Sequence, residues 1–181
     1  MTDAAAPPDG AAAAVDRARE HLTRAATALA EAGARSEVLA ELVPERRVLG
    51  VPRAARMTPV GAVWRLGVIL LDGAGSAWTT GRVVRAERAA RRSVTAEAVA
   101  EQRALRAAAV KGGIAEGGTV NFDASPIDLS ELARVGTSGP LVVRDDQVFV
   151  RWSATQADAL TPLERYLADR VDLLAHPPAG A

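Results

Sequence analysis

Five arginines fall within eleven residues: Arg82, Arg85, Arg88, Arg91 and Arg92. They follow a run of apolar residues that reads as a buried strand. A guanidinium group is always charged and presents a planar fork of donors, so such a cluster suits a phosphate or carboxylate partner. If the chain continues as a strand to about Ala86, Arg82 and Arg88 need not share a face with Arg85. If it has turned helical by Glu87, then Arg88, Arg91 and Arg92 line one side. Arg46, Arg47, Arg53 and Arg56 flank the same region in sequence, and Arg53 and Arg56 join the cluster as anion- or partner-binding candidates. Aromatic residues are absent from 79–121, so the stacking platforms used for single-stranded nucleic acid are missing there.

Other chemistries leave weaker traces. The chain has no Cys, which removes disulfides, thiolate metal sites and Cys nucleophiles. Its two histidines, His21 and His176, belong to no metal-ligating motif, and no metal site is expected. Ser76 and Ser138 sit among glycines in expected turns, without a G-x-S-x-G frame, and no Ser stands three residues before Lys111, the single lysine. KGGIAEGGTV (111–120) places its Lys before the glycines, which reads as a helix end and a turn rather than a phosphate loop. The carboxylates Asp72, Glu116, Asp123 and Asp128 lie near element ends, and spacing alone does not bring them within reach of one another. Asp145-Asp146 reads as a polar hairpin tip. No catalytic motif is recognisable and no cofactor is implied.

Charge is balanced overall, with 22 basic and 22 acidic side chains, but it is unevenly placed. Residues 1–45 carry a net −4, residues 46–111 a net +9 and residues 112–181 a net −5. Pairing of the basic centre with the acidic ends, within one chain or in a homo-oligomer, is expected ahead of nucleic-acid binding. No apolar run approaches the roughly 20 residues that a membrane helix needs, and MTDAAAPPDG lacks the basic and apolar regions of a secretory signal. A cytoplasmic location follows as the expectation.

The elements that must position these residues read as follows. Residues 1–14 form a low-complexity, disordered tail. Residues 15–33 form a helix, with Val15, Leu22 and Leu29 repeating at seven and Gly33 as its C-cap. Residues 36–42 form a shorter helix stopped by Pro44, so 15–45 is an N-terminal helical hairpin. An α+β domain then spans 46–175, followed by a tail over 176–181. Its first hairpin joins 62–72 to 76–86 through Gly73–Gly75. A helix over 94–111, capped by Ser93 or Thr95, leads to a strand over 118–123 and a short helix capped by Asp128. A second hairpin covers 140–152. Thr161-Pro162-Leu163-Glu164 is a capping box that opens the last helix. Trp78 and Trp152 are expected in the core. Hairpins separated by helices imply an α+β fold, with a mostly antiparallel sheet built from two hairpins and helices packed on it.

W-x-L-G-V-I-L-L (64–71), G-x-V-V-R (81–85), G-P-L (139–141), V-R-W-S (150–153) and P-L-E-x-Y-L (162–167) together resemble a group of short proteins of high-GC bacteria. Members of that group sometimes carry an automatic glutaminase label. The resemblance covers roughly residues 46–175 and implies an amide hydrolase acting on glutamine. None of the shared motifs is a catalytic signature, so it carries over no site residue. The residues themselves point instead to a non-catalytic binding or assembly protein that uses an Arg-rich surface, with amide hydrolysis and nucleic-acid binding as the alternatives.

Overall fold

The computed structural model describes residues 10–48, 51–88, 97–153, 155–156 and 158–177. In chain order the elements are α1 (Ala11–Glu31), β1 (Glu37–Val43), β2 (Arg46–Val48), β3 (Val51–Arg53), β4 (Arg56–Leu66), β5 (Ile69–Asp72), β6 (Ala77–Thr79), β7 (Arg82–Arg85), α2 (Glu97–Lys111), β8 (Thr119–Phe122), α3 (Leu129–Val135), β9 (Thr137–Ser138), β10 (Leu141–Arg144), β11 (Gln147–Arg151), β12 (Leu160–Pro162) and α4 (Leu163–Ala175). The fold is α+β. Among the described residues no helix is long and apolar enough to cross a membrane.

The chain divides into two compact units that do not follow the expected boundary at 45/46. The first comprises the described residues within Met1–Arg35, Trp64–Thr80 and Ser125–Ala181; the second comprises those within Ser36–Val63 and Gly81–Ala124. β4 runs from one into the other. Backbone pairing joins segments distant in sequence, which a linear reading of composition does not register.

The first unit has its own core. Val15, Leu22 and Leu29 of α1 are buried together with Leu132 of α3, Leu163, Tyr166 and Leu167 of α4, and Leu141, Val143, Val148 and Val150 of the β10–β11 hairpin. α1 begins at Ala11, with Ala11 and Ala14 buried, so the expected tail ends sooner than residue 14. The hairpin turns at Asp145 and Asp146, both at positive φ (46° and 57°), as a two-residue turn of the twisted-strand type requires. Asp128 caps α3, its Oδ1 accepting from the Ser130 and Glu131 amides at 2.7 and 3.1 Å. At α4, in contrast, Pro162 rather than Thr161 occupies the N-cap and no side chain caps it, because Thr161 is still paired in β12 with Val150. Trp152 leaves its strand and is 48% exposed, correcting its expected place in the core, and Trp78 is half-buried.

The expected first hairpin is interrupted twice. Gly67 (φ 64°) and Val68 turn the chain between β4 and β5, and the Tyr166 hydroxyl holds that turn by donating to the Leu66 carbonyl at 2.8 Å and accepting from the Val68 amide at 3.0 Å. The local signal for this turn was a single Gly inside an apolar run; its clamp comes from 100 residues further along. Ile69, Leu70 and Leu71 of β5 are fully buried. β6 pairs with β5, but the second arm breaks at Thr80-Gly81, and β7 pairs with β8 instead.

In the second unit the strand order is β4-β1-β8-β7. The expected helix over 36–42 is β1, antiparallel to β4 and parallel to β8. Seven residues are few for a helix, and Val38, Ala40 and Leu42 at a spacing of two supply one apolar face. That face packs with Met57, Val84, Val120 and Phe122 and with Leu105, Ala108 and Ala109 of α2. A bulge at Val60 shifts the register between Leu39 and Ala40, where Pro59 is tolerated. β2 and β3 pair with each other as a separate two-stranded ribbon.

Candidate anion-binding site

The structure divides the sequence-derived arginines into two groups within the second unit. Arg82 lies on β7 on the face covered by α2. Its Nη2 donates to Glu101 Oε1 at 2.9 Å, its Nη1 lies 4.0 Å from Asp123 Oδ2, and its guanidinium stacks over the Phe122 ring, 5.2 Å from the centroid. Arg88 lies in the coil beyond β7, with Nε 3.1 Å from Glu116 Oε2. Arg106 of α2 likewise meets Glu87 at 2.8 Å. These pairs are exposed, and each contributes at most about 1 kcal/mol. They nevertheless match Arg82 and Arg88, two arginines of the stretch that looked most like an anion grip, with acids. Arg85 is exposed on β7 and turns to the opposite face from Val84. Arg91 and Arg92, with Ser93 and Thr95, lie outside the described residues. The 83–92 stretch is thus strand as far as Arg85 and coil through Arg88.

Arg53 and Arg56 belong elsewhere. The β1–β4 ladder ends at the pair Val43↔Arg56, and the β2–β3 ribbon begins at Arg46↔Arg53. Two residues separate the ladders on each strand, Pro44-Glu45 and Ala54-Ala55. Pro44 has no amide hydrogen with which to continue the ladder. At this junction Arg46, Arg53 and Arg56 line a cavity of about 290 Å³ with Val43, Pro44 and Ala54, and Lys111 joins them. Lys111 reaches it because Gly112 packs directly against the Met57 backbone, next to Arg56, with no room for a Cβ. All four cationic side chains are exposed, and none makes an ion pair with a described carboxylate.

Arg56 and Arg82 are well separated. β1 and β8 lie between their strands, three steps of about 4.8 Å, and the registers offset them by three residues along the strand direction, for a total of roughly 17 Å. Arg82 and Arg56, expected in one cluster, therefore do not share one patch.

Arg46 and Lys111 are the residues that sequence reasoning left out of the site. One signal for Arg46 was present: RRV (46–48) and VPR (51–53) mirror each other about 49–50, so an antiparallel ribbon places Arg46 opposite Arg53. Lys111 had no such signal, since its place depends on how α2 packs on β4. Of the histidines, His21 Nδ1 meets Arg24 at 2.7 Å and His176 Nδ1 meets Asp172 at 3.1 Å; among the described residues neither ring is hydrogen-bonded to a hydroxyl.

Comparison with known proteins gives no match: no family model, no curated protein and no solved structure matches the chain.

Proposed function

We propose that this chain is a non-catalytic, cytoplasmic binding or assembly protein that recognises an anionic partner through the basic cup formed by Arg46, Arg53, Arg56 and Lys111. One observation carries this reading: four cations converge on one concavity and none is paired with a described carboxylate, while Arg82, Arg88 and Arg106 of the same unit are each matched to an acid. An unneutralised concavity concentrates its field and attracts a ligand of opposite sign. The second unit carries 12 basic and 8 acidic side chains by sequence, and the first carries 10 and 14. A second copy of the chain is accordingly one candidate partner.

The test is binding of a fluorescent hexaglutamate peptide and of inorganic pyrophosphate to the full chain at low and at physiological salt. Arg53→Glu with Arg56→Glu abolishes binding of whichever probe the wild type takes up, whereas Arg82→Glu with Arg88→Glu leaves at least half of the affinity, within about 0.4 kcal/mol. Equal losses in both double variants, or no binding of either probe to the wild type, would overturn the proposal.

A further inference from the structure

The cup has features that narrow its ligand. Arg46 and Arg53 are directly opposed across an antiparallel pair, and among the described residues no acid pairs with either. Like charges in that relation repel and destabilise the ribbon when nothing lies between them. Two opposed guanidinium forks with a third from Arg56 suit an oxyanion that accepts several hydrogen bonds at once, which tetrahedral phosphoryl oxygens do better than a single carboxylate. The volume of about 290 Å³ fits a compact group. The walls, Val43, Pro44 and Ala54, are aliphatic, so they provide no stacking surface for a base. Exposed Glu41 and Glu45 stand beside the cup in sequence, at the end of β1 and just past Pro44. They disfavour a long polyanion tracking across the surface. A continuous basic face of the kind a nucleic-acid backbone needs is also broken by the self-paired arginines of β7 and α2.

We infer that the cup is a binding site for a compact phosphoryl ligand of the diphosphate class, held by Arg46, Arg53 and Arg56 with Lys111 as a point charge. This rests on the reading of the cup as the recognition surface and adds the chemistry of what it recognises. The shared group is a diphosphate, whether free or at the end of a larger molecule.

The deciding experiment is isothermal titration calorimetry of the full chain with inorganic pyrophosphate, inorganic phosphate, hexaglutamate and a short DNA duplex at physiological salt. Pyrophosphate is expected to bind at one saturable site, more tightly than phosphate and at least about tenfold more tightly than hexaglutamate, as loss of charged hydrogen bonds implies. Arg53→Lys, which keeps the charge and loses the fork, is expected to weaken pyrophosphate several-fold and hexaglutamate by a smaller factor, because pyrophosphate engages several guanidinium forks at once. Its near-ultraviolet circular dichroism is expected to match the wild type, so that misfolding does not imitate the effect. If hexaglutamate binds as tightly as pyrophosphate, and Arg53→Lys affects both alike, the phosphoryl inference fails while the basic cup stands. Tighter binding of the duplex, with a steep salt dependence that Arg53→Glu removes, would replace the diphosphate with nucleic acid. Failure of every probe would overturn the inference and the cup together.

Discussion

Arg82 and Arg53 lie in the same unit, each on a short strand of an antiparallel pair, and they differ in what faces them. Arg82 looks across at Phe122 on β8 and outward to Glu101 on α2, so its charge and its plane are both occupied. Arg53 looks across at another arginine. In the stretch with the denser arginines the fold pairs Arg82 and Arg88 with acids, and the sparser one remains available. Density of charge along a chain therefore says little about potential at a surface. What counts is whether neighbouring elements bring carboxylates, and α2, which supplies Glu101 to β7, brings its one lysine to the cup.

This contrast can be stressed in three ways. The largest effect is expected from Gly112→Ala. A Cβ there meets the Met57 backbone, so α2 must move away from β4, and overpacking of this kind costs about 1–3 kcal/mol. Urea denaturation measures the loss, and because the same contact positions Lys111, anion binding at the cup is expected to fall with it. Unchanged stability would show that the close approach does not hold the two elements together.

A smaller loss is expected for Arg82→Ala. Removing an exposed ion pair and a guanidinium stacked on Phe122 costs about 1 kcal/mol, part of it disappearing in high salt. A destabilisation several times larger would mean that Arg82 is a structural keystone rather than a neutralised surface charge.

The smallest effect has the opposite sign. Arg53→Thr removes a like-charge cross-strand pair and introduces a residue that favours strands, so stability is expected to rise by about 0.2–0.5 kcal/mol. Denaturant titration at low salt gives the best chance of resolving it. A clear loss of stability would show that Arg53 makes a favourable contact and is not held ready for a ligand.

Some of this was legible before the fold was known. The heptad Val15, Leu22, Leu29 marks α1 because one helical face must be apolar to bury, and Asp128 followed by Glu131 marks the start of α3 through the capping chemistry of its first turn. The Asp145-Asp146 turn was similarly evident as an acidic pair between two apolar runs. The segment 37–43 was not, since a short apolar stretch fits a helix and a strand almost equally until its partners are known. At Thr161 the capping pattern was present, yet pairing within β12 prevailed over it.

The sequence by itself determined those local facts: where apolar faces repeat, where caps and turns fall, and that 46–56 and 82–92 are basic. It did so because periodicity and capping depend on residues within a turn or two of one another. Only the tertiary structure decided that the chain divides into two interleaved units, that Tyr166 clamps a turn 100 residues away, that Arg82 and Arg88 are neutralised, and that Arg46, Arg53 and Arg56 share a cup with Lys111. Each of these is a meeting of residues far apart in sequence. Long-range pairing and helix packing bring such residues together, and no local pattern encodes which of them will meet.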